Sequence, residues 1–379
     1  MFYILYTLII GISFSQLLLP KLDVWHSSGI FAQGCIMLMF AYSFFETRKP
    51  ILFYNKPFGM LNIWIGLSTL FICYHAQASG RYDVKHFFPY FNFLCLGIMY
   101  QVINTQITRA QIEKILESFR YVVIATLLLA VLQHFNLSQF FHLISTEGNR
   151  GEWHNNPVVG FSGNPTHFSG YLGLCSPIFL WKRKRLDWLC IALMLLLMCF
   201  TGTTKGDPAI SGFIVLAVVF AYTFKNKKII IIPLFLLFAL LTSLFAPENF
   251  LSLNGRGQFF PTLIGYFKQL PITGHGLGSI EILYLKGLLG DIKHAHLECL
   301  GYALEIGLIG LILILNLIHK FIIYEDDTRI ELVLKSIVLG FLVSCLFNST
   351  SHLWLPSIIT MFAYASYFCI KNEKALTDS

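Results

Sequence analysis

The residues best suited to chemistry lie in one short stretch, 293–298, at the start of an apolar run. His294 and His296 precede that run, and Glu298 and Glu305 lie within it. A histidine at the mouth of a membrane helix is suited to act as a general base, because its pKa lies near neutral pH. His294 and Glu298, four residues apart, would share a helix face, whereas His296 and Glu305, nine apart, would face opposite ways. We therefore do not expect Glu305 to orient His296, and its role stays open between function and packing or gating.

Cations that could bind an anion occur outside this stretch. Arg256 precedes a run whose apolar residues recur at helical spacing, Phe260, Leu263, Ile264, Phe267 and Leu270. This pattern predicts a short helix that lies in the membrane interface. A helix start attracts anions and a guanidinium can grip a phosphate with two hydrogen bonds, but Arg256 could equally extend toward lipid headgroups. Other polar positions predicted on the same side are Arg150, Asn155, Asn156, Asn164, His167, Lys205 and His352. Together they indicate an anion site.

Two other chemistries are poorly supported. The string Gly274–Gly278 resembles a nucleotide-binding loop, but no strand precedes it, so a tight re-entrant turn is expected instead. Asp291, His294 and His296 could ligate a metal, yet a fourth ligand and the usual ligand spacing are missing. The nine cysteines form no C-x-x-C pair and fit buried apolar positions. We predict neither a metal nor a cofactor.

The composition places these residues in a membrane protein. Hydrophobic residues make up 56% of the 379 and charged residues 12%, against about 25% charged in an average soluble domain. The mean hydropathy is +0.66. The charge is too sparse to cover a water-soluble surface. The first twenty residues lack a basic leader and a cleavage site, and they predict a retained helix.

Apolar stretches long enough to cross about 30 Å of hydrocarbon recur twelve times. They lie near 2–20, 29–45, 58–75, 87–105, 119–135, 166–181, 187–203, 208–224, 229–246, 297–318, 332–348 and 353–370. With both termini cytoplasmic, 18 of the 27 basic residues fall in the short cytoplasmic segments, as the positive-inside rule requires. The net charge of +7 therefore reflects orientation in a membrane and gives no argument for nucleic-acid binding.

The predicted architecture is a single all-α membrane domain over 1–379 with two long outer loops. One loop spans 138–165. The other spans 247–295 and contains the predicted interfacial helix. Both are too long to serve as simple connections, which suggests that they carry the function.

Five segments resemble the superfamily of O-antigen ligases and polymerases. The run HLECLGYALEIGLIG, 296–310, is similar to the family signature H-N-x-x-L-x-x-x-x-E-x-G-x-x-G. Gly255-Arg256 and PITGHGLGS resemble its GR and P-L-x-G-x-G-x-G-S segments. VVGFSGNPTHFSGYL and TGTTKGDPAISGFIVL resemble its G-x-F-x-N-P-N segment and its T-x-S/T-R helix start. The matches occur in the family's order across about 150–310.

The resemblance implies an enzyme of the bacterial inner membrane with its active site facing the periplasm. Such a transferase moves an undecaprenyl-diphosphate-linked glycan to an acceptor hydroxyl without a metal. His296 would be the base, and Arg256 and Lys205 would bind the diphosphate. The departures are Lys205, which stands where the family has Arg, and Leu297, which stands where it has Asn.

Several functions remain open within and outside this resemblance. Ligation to lipid A–core is expected first, O-antigen polymerisation second and transfer to protein third. The alternative of another class is a transporter or a flippase for lipid-linked glycans. Transporters bind near the membrane midplane on broken helices in repeated halves, whereas here the polar residues concentrate in outer loops.

Overall fold

The computed structural model describes the chain as a bundle of helices. The described residues are 1–15, 24–47, 59–68, 70, 88–135, 158, 160, 165–201, 260–280, 298–323, 327–345 and 354–377. This part of the chain is helical and contains no strand, which confirms the all-α class.

Eleven α-helices run through the described residues. They are α1 (Phe2–Gly11), α2 (Val24–Thr47), α3 (Gly59–Ser68), α4 (Phe88–Gln106), α5 (Arg109–His134), α6 (Pro165–Lys182), α7 (Arg185–Thr201), α8 (Phe260–Phe267), α9 (Glu298–Ile323), α10 (Arg329–Ser344) and α11 (Trp354–Thr377). A short 3₁₀ segment, Ile12–Phe14, extends α1.

The helices overlap ten of the twelve predicted spans, and the remaining two, 208–224 and 229–246, lie outside the described residues. Within the described part, three stretches are long and apolar enough to cross a membrane, Ser28–Glu46, Arg109–His134 and Leu300–His319. The structure thus supports a membrane protein. Twelve crossings and the orientation of the termini remain predictions, and most of the loop 138–165 lies outside the described residues.

Local sequence explains how α5 begins and how α6 accommodates an internal proline. Thr108 and Gln111 form a capping box at the start of α5, in which each side chain bonds the backbone N–H of the other residue. Pro177 lies inside α6 and leaves the carbonyl of Gly173 without its usual N–H partner. The Ser176 hydroxyl donates to that carbonyl at 2.8 Å. This bond matters because hydrocarbon offers no water to satisfy a free carbonyl.

Most of the described helices pack around one large apolar core, and two smaller apolar clusters join α3, α8, α9 and the segment 271–280. Helix α11 packs on α4 and α10, and α6 packs on α7 and α10. Large apolar side chains also point outward on several helices, for example Phe45, Leu189 and Ile312. Exposed apolar surface on this scale suits contact with lipid rather than with water.

Buried ion pairs tie helix ends together on the predicted cytoplasmic side. The Arg120 guanidinium donates from Nε to Asp187 Oδ1 at 2.7 Å, and both side chains are buried. The other oxygen of Asp187 accepts the backbone N–H of Lys184 at 2.7 Å. The pair therefore fixes the start of α7 against α5.

A second buried cluster joins α10 and α11. Asp327 accepts the Tyr367 hydroxyl at 2.8 Å and pairs with Lys335 and Lys371, both at 3.1 Å. Burial by itself raises the pKa of Asp327, but these hydrogen bonds outweigh it and hold the pKa below the ordinary value of 3.8. Asp327 is therefore a carboxylate at neutral pH and links the two helices.

Candidate functional site

The structure describes only some of the residues proposed for the site. His296, Arg256, Lys205, His294, Arg150 and Asn164 lie outside the described residues. Glu298 is the first residue of α9, and Glu305 lies two turns further along the same helix. The structure therefore describes the elements that follow Arg256 and His296 in the chain, which are α8 and α9.

Helix α9 is interrupted at Gly307. This residue has φ 65° and ψ −172°, a conformation outside the helical region that only glycine adopts without strain. The interruption takes carbonyls before it and N–H groups after it out of the helical hydrogen-bond ladder. Inside a membrane protein such groups need partners from the chain itself.

The segment 271–280 supplies most of those partners. The N–H of His275 donates to the Leu304 carbonyl at 2.8 Å, and the N–H of Gly276 donates to the Glu305 carbonyl at 2.6 Å. In the opposite direction, the N–H of Leu308 donates to the Pro271 carbonyl at 2.9 Å. The turn segment and the broken helix thus complete each other's backbone bonds.

Helix α3 closes the interruption from another side. The indole Nε1 of Trp64 donates to the Ile306 carbonyl at 2.8 Å, and the Ser68 hydroxyl donates to the Glu305 carbonyl at 3.3 Å. Three parts of the chain, α3, 271–280 and α9, therefore meet at one point. We call this meeting point the junction.

Three glycines in the turn segment make the junction compact. Gly274, Gly276 and Gly278 have φ of 72°, 102° and 85°. A Cβ on Gly274 would lie 2.4 Å from the Glu305 carbonyl oxygen, and one on Gly307 would lie 2.2 Å from the Ile272 carbonyl oxygen. The string forms a turn, as expected, and Gly274 makes close backbone contact with α9.

Glu305 is buried at the centre of the junction. Its side chain Oε1 accepts the N–H of Ile280 at 3.4 Å, while its backbone carbonyl bonds Gly276 and Ser68. These contacts make Glu305 part of the packing of the junction, while a functional or gating role stays a prediction. The residue reaches the turn segment through both its side chain and its backbone.

Helix α8 joins the junction through apolar contacts. The predicted short helix is confirmed over Phe260–Phe267. Leu263 is fully buried against Ile280 and Leu304, and the His275 ring Nε2 lies 2.8 Å from the Tyr266 carbonyl. Ile264, by contrast, is exposed, as expected for a helix that keeps one apolar face toward the membrane interface.

Arg256 and His296 are close in the chain to two described helices. Arg256 is four residues before Phe260, a reach of at most about 14 Å, and His296 is two residues before Glu298, a reach of about 7 Å. Helices α8 and α9, which follow these two residues in the chain, pack together.

Sequence reasoning did not identify Trp64, Ser68 or His275 as parts of this junction. The two α3 residues bond to carbonyls more than 230 positions away in the chain, and no periodicity signals such pairing. Pro271 to Gly278 offered the one local signal, since three alternate glycines indicate close backbone approach.

No protein-family model matches the chain, and the search of curated proteins finds none that matches it.

Proposed function

We propose that this chain is a membrane glycan transferase. It would move a saccharide from undecaprenyl diphosphate to an acceptor hydroxyl on the periplasmic face, most simply as an O-antigen ligase acting on lipid A–core. The observation that carries the proposal is the junction. It joins the segment PITGHGLGS to the helix containing Glu305 and Gly307, two of the segments on which the family resemblance rests.

The proposed chemistry needs one base and a cationic site for the leaving group. His296 takes the proton from the acceptor hydroxyl as its oxygen attacks the anomeric carbon of the donor sugar. The bond from that carbon to the diphosphate oxygen breaks, and undecaprenyl diphosphate leaves with the electron pair. Arg256 and Lys205 neutralise the charge that develops on the diphosphate. The step inverts the anomeric carbon and consumes no cofactor.

Supporting roles fall to residues around these three. His294, Glu298, Arg150 and Asn164 are the polar candidates for orienting the base and the sugars. Glu305 is assigned to holding the junction together, because its side-chain oxygen and its backbone carbonyl each accept a backbone N–H of the turn segment. Lys205 offers a point charge where a guanidinium would offer a planar fork, so it should hold the diphosphate with less directional selectivity.

The first test is complementation in two bacterial hosts with a compatible O-antigen pathway. One host lacks its ligase and the other lacks its polymerase, and the stained lipopolysaccharide of each is compared. Glycan on lipid A–core in the first host identifies a ligase, and a restored ladder in the second identifies a polymerase. Should both gels stay blank, purified protein is assayed for turnover of diphosphate-linked donors, and no turnover of any donor would reject the transferase.

Variants then assign the residues. His296→Ala and Arg256→Ala are expected to abolish transfer while the protein stays folded. His319→Ala and Lys268→Ala are the matched controls, because both side chains are exposed and neither residue is assigned a role in the proposed chemistry. Full activity in His296→Ala or in Arg256→Ala would remove that residue from the mechanism.

One observation favours a second candidate, a transporter or flippase for lipid-linked glycans. Interrupted membrane helices are typical of transporters, where the freed backbone groups bind the substrate or a coupled ion. In α9, however, the carbonyls of Leu304, Glu305 and Ile306 accept bonds from His275, Gly276 and Trp64. Translocation of a labelled lipid-linked glycan across proteoliposomes, without transfer to any acceptor, would favour this candidate.

A further inference from the structure

The start of α10 contains two buried oxygen atoms that have no hydrogen-bond partner. These atoms are Glu331 Oε1 and Thr328 Oγ1, and neither forms a hydrogen bond within the part of the chain that the structure describes. The side chain of Glu331 is only 1% exposed. Folded proteins rarely leave such buried atoms unsatisfied, and a bound molecule often supplies the partner. The two oxygens therefore point to a ligand at this end of the helix.

One hydrogen bond holds the two oxygens near each other. The backbone N–H of Thr328 donates to Glu331 Oε2. The unbonded Oε1 shares a carbon with Oε2, and Oγ1 is three bonds away from the Thr328 nitrogen. The covalent geometry therefore keeps Oε1 and Oγ1 within a few ångströms of each other, which is the span of one small bridging molecule.

The donors of the adjacent charge cluster are directed at other oxygens. The Lys371 ammonium lies 3.5 Å from Glu331 Oε2 and 3.1 Å from Asp327 Oδ1. The Lys335 ammonium donates to Asp327 Oδ2 at 3.1 Å, and the Tyr367 hydroxyl donates to Asp327 Oδ1 at 2.8 Å. None of these four contacts reaches Glu331 Oε1.

The charges of this cluster decide which kind of ligand fits. Two carboxylates, Asp327 and Glu331, face two ammonium groups, Lys335 and Lys371, so their charges cancel. A bound cation would add an uncompensated charge to a buried place, which is costly. An anion would be repelled by the carboxylate oxygen that it had to contact. A water molecule adds no charge, can donate to Oε1, and can bond to a hydroxyl that both donates and accepts.

We propose that a water molecule binds between Glu331 Oε1 and Thr328 Oγ1. It donates one hydrogen bond to the carboxylate and forms a second with the hydroxyl, and so joins the start of α10 to the charge cluster around Asp327. This site lies apart from the junction and does not depend on the proposed transferase activity.

The test replaces Thr328 by valine, which has nearly the same shape but lacks the hydroxyl. Stability is measured by denaturant titration of the full chain in detergent. The hydroxyl bonds to no other part of the described chain, so without the water Thr328→Val would leave stability unchanged or raise it. With the water bound, the folding equilibrium constant should fall by roughly fivefold, the effect of one lost hydrogen bond. Thr328→Ser, which keeps the hydroxyl, is the matched control and should lose less.

A second measurement locates the ligand directly. A cryo-EM map of the wild-type chain that resolves ordered waters should show a peak about 2.7–3.2 Å from both oxygens. The melting temperature should be the same in sodium chloride and in choline chloride of equal ionic strength. A sodium-specific rise would identify a cation and overturn the proposal. Unchanged or higher stability in Thr328→Val, or a map with waters elsewhere but none between these oxygens, would also overturn it.

Discussion

Gly274 and Gly307 lie against each other in the junction, so that a Cβ atom on either one would come within 2.5 Å of the backbone nitrogen of the other. Both also have positive φ, 72° and 65°. Backbone contact of this kind leaves no flexible side chain that could move aside. The interrupted helix and the turn segment are therefore fitted to each other through two residues that only glycine satisfies.

Replacing either glycine should destabilise the junction. Gly307→Ala and Gly274→Ala each add left-handed strain of about 1–2 kcal/mol and a contact with backbone atoms that cannot relax. We expect a lower melting temperature in detergent, read by size-exclusion chromatography after heating. Gly265→Ala is the control, since a Cβ there has open space and lies on a helix, where alanine is favoured. A melting temperature equal to that of Gly265→Ala would contradict the account of the junction.

The indole of Trp64 should matter more for its N–H than for its size. Trp64→Phe keeps an aromatic ring but leaves the Ile306 carbonyl without its 2.8 Å bond. A cost of about 1–3 kcal/mol is expected for an unsatisfied buried acceptor. The measurement is the free energy of unfolding in a denaturant titration of the detergent-solubilised protein. Tyr42→Phe, which removes an O–H at an exposed position, serves as the control and should change this free energy little.

Breaking the buried pair of Arg120 and Asp187 should be costly from either side. Asp187→Ala leaves the Arg120 guanidinium buried without its closest partner and also removes the acceptor for the Lys184 N–H. We expect a loss of about 3–5 kcal/mol, the range for an uncompensated buried charge.

The double variant Arg120→Leu/Asp187→Ala separates the charge effect from lost packing. Removing both charges should recover part of the stability lost in the single variant, because no buried charge is then left unpaired. Both variants are compared with wild type by denaturant titration. A double variant less stable than Asp187→Ala alone would mean that packing by the arginine stem outweighs its charge.

The Asp327 cluster should make the stability of the fold depend on pH in the acid range. Because the folded-state pKa of Asp327 lies below its ordinary value of 3.8, its ionised form stabilises the fold above that pH. That contribution is lost as the pH falls below 3.8 and through the lowered pKa. Melting temperatures are measured between about pH 3 and pH 6, around the ordinary carboxyl pKa values. Asp327→Asn should melt lower at the upper end and converge with wild type at the lower end.

The same cluster should also make the stability of the fold depend on pH in the alkaline range, where stability falls as the pH rises. Burial alone lowers the pKa of Lys371, but its bonds to Asp327 and its attraction to Glu331 outweigh this and raise the pKa above 10.5. Its contribution is complete below 10.5 and is lost as the pH rises through the raised pKa. If the difference in melting temperature between wild type and Asp327→Asn stays constant from the acid range to the neutral range, the ionisation of Asp327 does not contribute to the stability of the fold.

The all-α membrane class follows from the sequence, for reasons that are local. Charge is scarce, apolar runs recur at membrane length, and helix ends such as Thr108–Gln111 cap themselves within four residues. The short helix at Phe260–Phe267 was predictable for the same reason, because its apolar spacing needs no distant partner. Glycine spacing also predicted the turn over 274–278.

Tertiary structure alone decided where these elements meet. Sequence gave no sign that α9 would be interrupted at Gly307, since a glycine within an apolar helix is tolerated in most contexts. Nor could it show that Trp64 and Ser68 would bond to carbonyls of α9, because hydrogen bonds between distant segments leave no periodic pattern. An interrupted helix in an apolar environment persists only when other parts of the chain satisfy its backbone, and that is a property of the assembled fold.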